Sequence, residues 1–186
     1  CRDWSSDVCS SDLGQYNREE FHLRHARVVA GVMGEFAREY DPGRIEFWTV
    51  VGLLHDLDFE LHPDRHCVAV QEIMRGQNLD ESLIHAVASH GFGITVEIEP
   101  EHIMEKILFA TDELTGLIGA VALMRPSRSV TDLELKSVLK KFKTLNFAAG
   151  CSRDIIRQGA ELLGWELETL IDRTIRAMRA CDADHL

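Results

Sequence analysis

Apolar residues recur at helical spacing through most of the chain. In residues 17–40 they lie three or four positions apart, which predicts a helix with one buried face and Asn17 as its N-cap. The apolar side chains of this face are Phe21, Val28, Val29, Val32 and Phe36. Residues 45–56 are apolar nearly all round and predict a buried second helix, in which Gly52 would let a neighbouring helix approach closely.

Helical patterns continue to the C-terminus and are separated by turn residues. The further predicted helices span residues 64–75, 80–89, 100–124, 132–143, 152–163 and 165–181, and residues 57–63 form a loop. No segment shows the convincing alternation of a strand. We therefore predict an all-α fold, a single compact helical bundle.

The second predicted helix ends in an unusual way. The apolar run from Val50 to Leu54 leads directly into His55 and Asp56. Burying an unpaired imidazole and a carboxylate costs several kcal/mol, so such groups are normally paired or bound to an ion. A metal site at the buried end of a core helix is one interpretation. A helix end at which both side chains meet solvent is the other, and this stretch alone does not separate them.

Charge and composition narrow the classes of partner. Of the 186 residues 45% are hydrophobic and 27% are charged, which is ordinary for a globular protein. The net charge of −11 argues against a nucleic-acid polymer as the main ligand, because such binding depends on neutralising phosphates. A local basic patch would still suit a small phosphorylated molecule. A homo-oligomer is left open.

The cysteines and the chain's N-terminal residues bear on where the protein works. The five cysteines are scattered and show no C-x-x-C spacing, which favours a reducing, cytoplasmic setting. No segment reaches the roughly 18 apolar residues of a membrane span, so we expect no membrane association.

Residues 1–13, CRDWSSDVCSSDL, resemble a translated sequencing-adapter fragment. We expect them to be non-native or disordered.

Four isolated polar residues follow one another on or beside predicted apolar faces. They are His25 in the first helix, His55 and Asp56 at the end of the second, and Asp112 inside the long helix of residues 100–124. Two imidazoles and two carboxylates suit a divalent transition metal such as Mn, Fe, Co, Ni or Zn better than calcium. Taken singly, each residue could instead be a hydrogen-bonded core group.

The order of these residues resembles the HD superfamily of metal-dependent phosphohydrolases. The resemblance is carried by His25 in HARVV, His55-Asp56 in GLLHDLD and Asp112 in FATDELTG, and it extends along the chain as far as residue 178. It implies an all-α HD-type domain over residues 14–186, with a metal-binding core at about 18–125 and a helical extension at about 126–182. It also implies hydrolysis of a phosphate ester of a nucleotide or other small metabolite by metal-activated water. A di-iron oxygenase and a regulatory nucleotide-binding module are the alternatives.

The same resemblance suggests a second ion and leaves proton transfer open. His66 and His90 best match the extra histidines of members that bind two ions, although roles beside the ligands or at a phosphate remain the alternative. Some members place a glutamate three residues after the dyad's aspartate, where this chain has Phe59. Besides Asp56 itself, Glu60 and then Asp58 are therefore the candidate catalytic carboxylates. Both could equally be loop residues facing water.

Basic residues downstream are the candidates for binding substrate. Lys136 and Lys140 lie on one predicted helical face, and Arg125 precedes them. They would recruit a small anion, or simply form a solvated face. Thr115, three residues after Asp112, would hydrogen-bond substrate or its own helix. Cys67 is interpreted as a buried structural thiol.

Overall fold

The computed structural model describes residues 14–181, so the expectation for residues 1–13 lies outside the described residues. Within this range eight α-helices follow one another. They are α1 (Glu20–Tyr40), α2 (Ile45–Leu54), α3 (Ala69–Gly76), α4 (Glu81–Ala88), α5 (Ile103–Leu123), α6 (Leu135–Phe142), α7 (Arg153–Leu163) and α8 (Leu167–Ala180). Short 3-10 helices span Pro42–Arg44, Pro63–Arg65 and Ser89–Gly91, and residues 14–16 form a helical turn.

The prediction of an all-α bundle is confirmed. Between residues 14 and 181 no strand forms, and a single bridge joins Phe92 to Val96. In the same range no helix combines the length and the apolar character that crossing a bilayer requires.

Helix α5 lies at the centre of the bundle. It packs against α1, α6, α7 and α8, and α1 in turn packs along α2. Its apolar side chains are buried around much of its circumference, including Leu108, Leu114, Leu117 and Ile118. This arrangement brings one face of α1, the C-terminal end of α2 and the middle of α5 to a common point.

Two glycines let helices approach closely. A Cβ added at Gly52 of α2 would lie 2.9 Å from the Cα of Ala30 on α1, which confirms the close approach expected there. At Gly159 of α7 the corresponding distance to the Cα of Ala110 on α5 is 2.4 Å. Both positions hold helices against the elements that carry His25 and Asp112.

The segment after α2 differs most from the predicted helices. Helix α3 begins at Ala69 and not at residue 64, because Pro63–Arg65 forms a 3-10 turn, His66 is extended, and Cys67 has a φ of 63°. Asn17 is not the N-cap of α1; it is buried, and its Nδ2 donates to the carbonyl oxygen of Leu57.

Other helix ends shift by a few residues. Helix α2 stops at Leu54, α5 begins at Ile103 and not at Pro100, and α6 begins at Leu135. His102 caps α5, since its side chain accepts from the N–H of Met104. Such local caps decide helix ends, and a histidine cap has little signature in sequence.

Candidate metal centre

Four ligand atoms converge where α1, α2 and α5 meet. His25 lies on α1, His55 and Asp56 follow the last residue of α2, and Asp112 lies in the middle of α5. His25 Nε2 is 2.8 Å from Asp112 Oδ1 and 3.2 Å from His55 Nε2. His55 Nε2 is 3.2 Å from Asp56 Oδ2 and 3.3 Å from Asp112 Oδ1. All four atoms lie within 4.8 Å of one another, which is the spacing of ligands around one ion.

Backbone geometry fixes which nitrogen of His55 faces the centre. Its Nδ1 lies 2.8 Å from the carbonyl oxygen of Gly52. A carbonyl can only accept, so Nδ1 carries a proton, and in the neutral imidazole Nε2 has the lone pair that an ion would bind. A metal-binding histidine is commonly oriented by such a bond from its other nitrogen.

His66 and His90 form a second group beside the first. Their Nε2 atoms are 3.0 Å apart, and they lie 3.5 and 3.6 Å respectively from Asp56 Oδ1. Asp56 therefore presents Oδ2 to His25 and His55, and Oδ1 to His66 and His90. A carboxylate shared in this way would bridge two neighbouring cation positions.

The second pair of imidazoles is also held from behind. His90 Nδ1 donates to the carbonyl oxygen of Val87 over 2.5 Å. His66 Nδ1 lies 2.8 Å from Asp58 Oδ1, and the other oxygen of Asp58 accepts from the N–H of Val70. Three of the four histidines in the two ligand groups thus have Nδ1 engaged and Nε2 directed inward.

The charges at the centre favour a bound cation. Burial acts to lower the pKa of His55, but the carboxylates of Asp56 and Asp112 outweigh it and raise that pKa to about 10. Burial likewise opposes protonation of His66, yet its bond to Asp58 raises the pKa to about 9. Conversely, burial acts against ionisation of Asp112, but His55 and His25 hold its pKa well below the usual value. In the metal-free protein, protons bound to these histidines supply the positive charge that an ion would otherwise supply.

A cavity of about 440 Å³ opens directly above these groups. His25, Asp56, His66, His90 and Asp112 line its floor. Exposed apolar side chains line it towards solvent, namely Phe21, Phe59 and Ile94. A second cavity of about 320 Å³ shares His25 and several small residues with the first. The centre is therefore accessible to a small group entering from solvent.

The predicted catalytic carboxylates other than Asp56 lie outside this cavity. Glu60 Oε2 accepts from the backbone N–H groups of Arg18 and Glu19, over 2.8 and 3.1 Å, and so holds the N-terminus of α1. Asp58 is fully buried behind His66. These contacts give Glu60 and Asp58 positioning roles and leave their roles in proton transfer without support.

Glu113 is a cavity-lining carboxyl that the sequence reasoning missed. Burial and the negative charge of Asp112 raise its pKa to about 7. It can therefore hold or release a proton near neutral pH beside the centre. The sequence signal that could have identified it is its position directly after Asp112 in TDELTG.

The predicted substrate-binding cations are not brought to the centre. Lys136 is exposed and pairs with Glu134 over 2.7 Å, and Arg125 pairs with Asp132 over 2.9 Å. Neither they nor the exposed Lys140 line either of the two cavities beside the centre. Thr115 lines the smaller cavity, but its hydroxyl donates to the carbonyl oxygen of Asp112. Helical spacing placed the lysines on one face without fixing where that face points.

Comparison with curated proteins finds a distant relative of this chain. No family model matches the chain, and no solved structure matches it. The chain is 26% identical over 164 residues to a tRNA (cytidine(56)-2'-O)-methyltransferase of Picrophilus torridus. The match covers 80% of this chain and 48% of the relative, so the chain spans about half of that protein's length.

This relative corrects two predictions. Its name points to methyl transfer rather than to hydrolysis of a phosphate ester, so the predicted phosphohydrolase activity is wrong. Its name also indicates RNA, against the prediction that excluded a nucleic-acid polymer. The two predictions failed for different reasons. A set of metal ligands locates an ion but does not define the reaction. A net charge of −11 does not determine the charge of a local surface patch that could contact RNA. The coarser prediction of an enzyme agrees with the relative.

Proposed function

We propose that this chain is a metal-binding helical domain of the HD type that takes part in methyl transfer to RNA. The His/Asp centre would hold one or two divalent transition-metal ions, and the cavity above it would take a nucleotide of the RNA. The metal part of the proposal rests on the site, and the RNA part rests on the relative's name.

The convergence of four ligand atoms from two helices and from the turn that follows α2 carries the metal proposal. His25, His55, Asp56 and Asp112 supply two nitrogen and two carboxylate donors within 4.8 Å of one another. Their chemistry fits Mn, Fe, Co, Ni or Zn. The hydrogen bond from His55 Nδ1 to Gly52 also fits, because it leaves Nε2 available as a donor.

The surrounding residues would position an RNA nucleotide. The cavity volume of about 440 Å³ falls within the range typical of small-ligand sites, roughly 300–1,000 Å³. Exposed Phe21 and Phe59 offer ring faces on which an unpaired base could stack. When bound, a divalent ion lowers the pKa of a hydroxyl attached to it, which suits activation of a ribose hydroxyl. The chain spans about half of the relative's length. That it contributes to the methyl transfer itself is part of what we propose.

The test combines metal analysis with RNA assays on the whole chain. Wild-type protein loaded with Mn²⁺, Co²⁺ or Zn²⁺ is mixed with tRNA and a radiolabelled sulfonium methyl donor. We expect the metal-loaded protein to bind tRNA, to transfer a methyl group to it, or to do both. Asp112→Ala should lose whichever of these activities the wild type shows. His62→Ala is the matched control, because this exposed loop histidine lies outside the ligand groups.

The outcomes separate the two parts of the proposal. A protein that binds no divalent ion would overturn the metal centre. A protein that binds ions stoichiometrically but neither binds tRNA nor transfers a methyl group to it would overturn the RNA part and leave the metal centre standing.

A further inference from the structure

We propose that the thiolate of Cys67 is a ligand of the second cation position, together with His66 and His90. This inference rests on the metal centre proposed above and adds a sulfur donor to its imidazole and carboxylate ligands. It predicts that this position selects a thiophilic ion such as Zn²⁺ or Co²⁺ over Mn²⁺ or Mg²⁺.

The ligand atoms of these three residues already lie together. Donor atoms of His66, Cys67 and His90 are within 4.8 Å of one another. Cys67 Sγ lies 3.6 Å from His90 Nε2 and 3.8 Å from His90 Nδ1. Since Nδ1 of His90 is engaged by the carbonyl of Val87, Nε2 is the nitrogen left to share an ion with the sulfur.

The separations are close to those around a tetrahedral ion. With bonds of about 2.05 Å to nitrogen and 2.3 Å to sulfur, a tetrahedral site places sulfur and nitrogen about 3.6 Å apart and two nitrogens about 3.4 Å apart. The Sγ to His90 Nε2 distance is 3.6 Å, and the two Nε2 atoms are 3.0 Å apart. Asp56 Oδ1, at 3.5 and 3.6 Å from those nitrogens, provides a further donor. Small side-chain adjustments would seat one ion among them.

The backbone around Cys67 holds the thiol in this place. Cys67 has a φ of 63°, in the left-handed region that a side chain such as cysteine rarely adopts. Its sulfur also occupies the space beside Gly91, where an added Cβ would lie 2.5 Å from Sγ. Glycine immediately after His90 therefore leaves room for a sulfur atom next to the imidazole.

The sequence led us to expect Cys67 to be a buried structural thiol, and its side chain is indeed buried. An apolar packing role, however, requires no nitrogen ligands next to the sulfur. The neighbouring His66 and His90 point their Nε2 atoms into the same space. When the ion binds, the sulfur–metal bond replaces the S–H bond, and the thiol proton passes to solvent.

Spectroscopy on the cobalt-substituted protein tests the sulfur donor. Apo-protein is titrated with Co²⁺ while the near-ultraviolet sulfur-to-cobalt charge-transfer absorption is followed. We expect the band in wild type, its loss in Cys67→Ser, and its retention in Cys151→Ser, which removes a thiol lining the cavity above the centre. Zinc affinity at this position should fall at least tenfold in Cys67→Ser, with little change for Mn²⁺.

X-ray absorption on the zinc-loaded wild type gives a second measurement that needs no variant. A sulfur shell at about 2.3 Å from zinc is expected. Two bound ions without this shell and without the cobalt band would overturn the thiolate ligand and leave the proposed metal centre intact. Failure of the protein to bind any ion would instead overturn both.

Discussion

At the scale of single residues, the first cation position depends on the imidazole of His55. His55 is fully buried, and its Nε2 lies near both Asp56 and Asp112. Replacing it by alanine removes a ligand and leaves two partly buried carboxylates without the imidazole between them. We expect His55→Ala to weaken metal binding by more than the roughly 10–100-fold typical of losing an outer partner. Equilibrium dialysis with metal analysis measures this effect.

The control for this prediction is His62→Ala, which changes an exposed histidine on the loop after α2. It should bind the same number of ions as wild type. Equal metal loss in both variants would show that the effect is general to the fold and not specific to the centre.

Asp58 gives a separate prediction for the second cation position. It fixes His66 through Nδ1 and anchors itself on the N–H of Val70. Asp58→Asn should lower affinity there by about 10–100-fold and leave the first position nearly unchanged, because Asp58 does not contact His25 or His55. Asp64→Asn, on the exposed turn before His66, is the matched control. Competitive titration with a metal-sensitive dye resolves the two sites.

The four primary ligands could be found in sequence because each interrupts an apolar pattern. His25 falls within the stripe of α1, and His55 with Asp56 ends an apolar run. The positions of Glu60 and Asp58 could not be found this way, since hydrogen bonds across 8 to 42 residues decide where those carboxylates point. Asp58 and Glu60 are acidic residues of the same short loop, so only the folded structure shows that they contact different partners.

At the scale of helices, close packing on α5 determines where Asp112 lies. A Cβ at Gly159 would meet the Cα of Ala110 at 2.4 Å, and backbone cannot yield as a side chain can. Gly159→Ala should therefore push α7 away from α5 and destabilise the fold by about 1–3 kcal/mol despite the better helix propensity of alanine. Urea denaturation measures this change, and metal affinity should fall with it.

Gly119→Ala is the matched control on α5 itself. Nothing lies within 4 Å of an added Cβ at this position. Alanine should therefore stabilise the protein by up to about 1 kcal/mol through helix propensity alone. A similar loss of stability in both variants would contradict the packing explanation.

The helices themselves were largely predictable, and the segment between α2 and α3 was not. Apolar periodicity located α1, α2 and α5, because those helices bury long faces. Residues 64–68 also carry a plausible helical pattern, yet they form a 3-10 turn and a left-handed Cys67. Tertiary contacts of His66 with Asp58 and His90 override local propensity there.

At the scale of the whole molecule, stability and the charge of the centre are coupled through Glu113. In the metal-free protein, burial and the charge of Asp112 raise the pKa of Glu113 from 4.5 to about 7. The folded state therefore holds this proton more tightly than the unfolded state does. The resulting stabilisation is fully present below about pH 4.5 and is lost as pH rises through about 7.

Replacing Glu113 by glutamine should remove that pH dependence, because glutamine resembles the protonated acid and does not ionise. Relative to wild type, we expect Glu113→Gln to gain about 1–2 kcal/mol in metal-free stability between pH 5 and pH 8, after allowance for solvent screening. The exposed Glu101→Gln should show no such gain. Urea denaturation in chelator at both pH values measures the difference. With an ion bound, the positive charge beside Asp112 should lower the pKa of Glu113, so the gain should shrink on metal loading; a gain of the same size with and without metal would separate Glu113 from the centre.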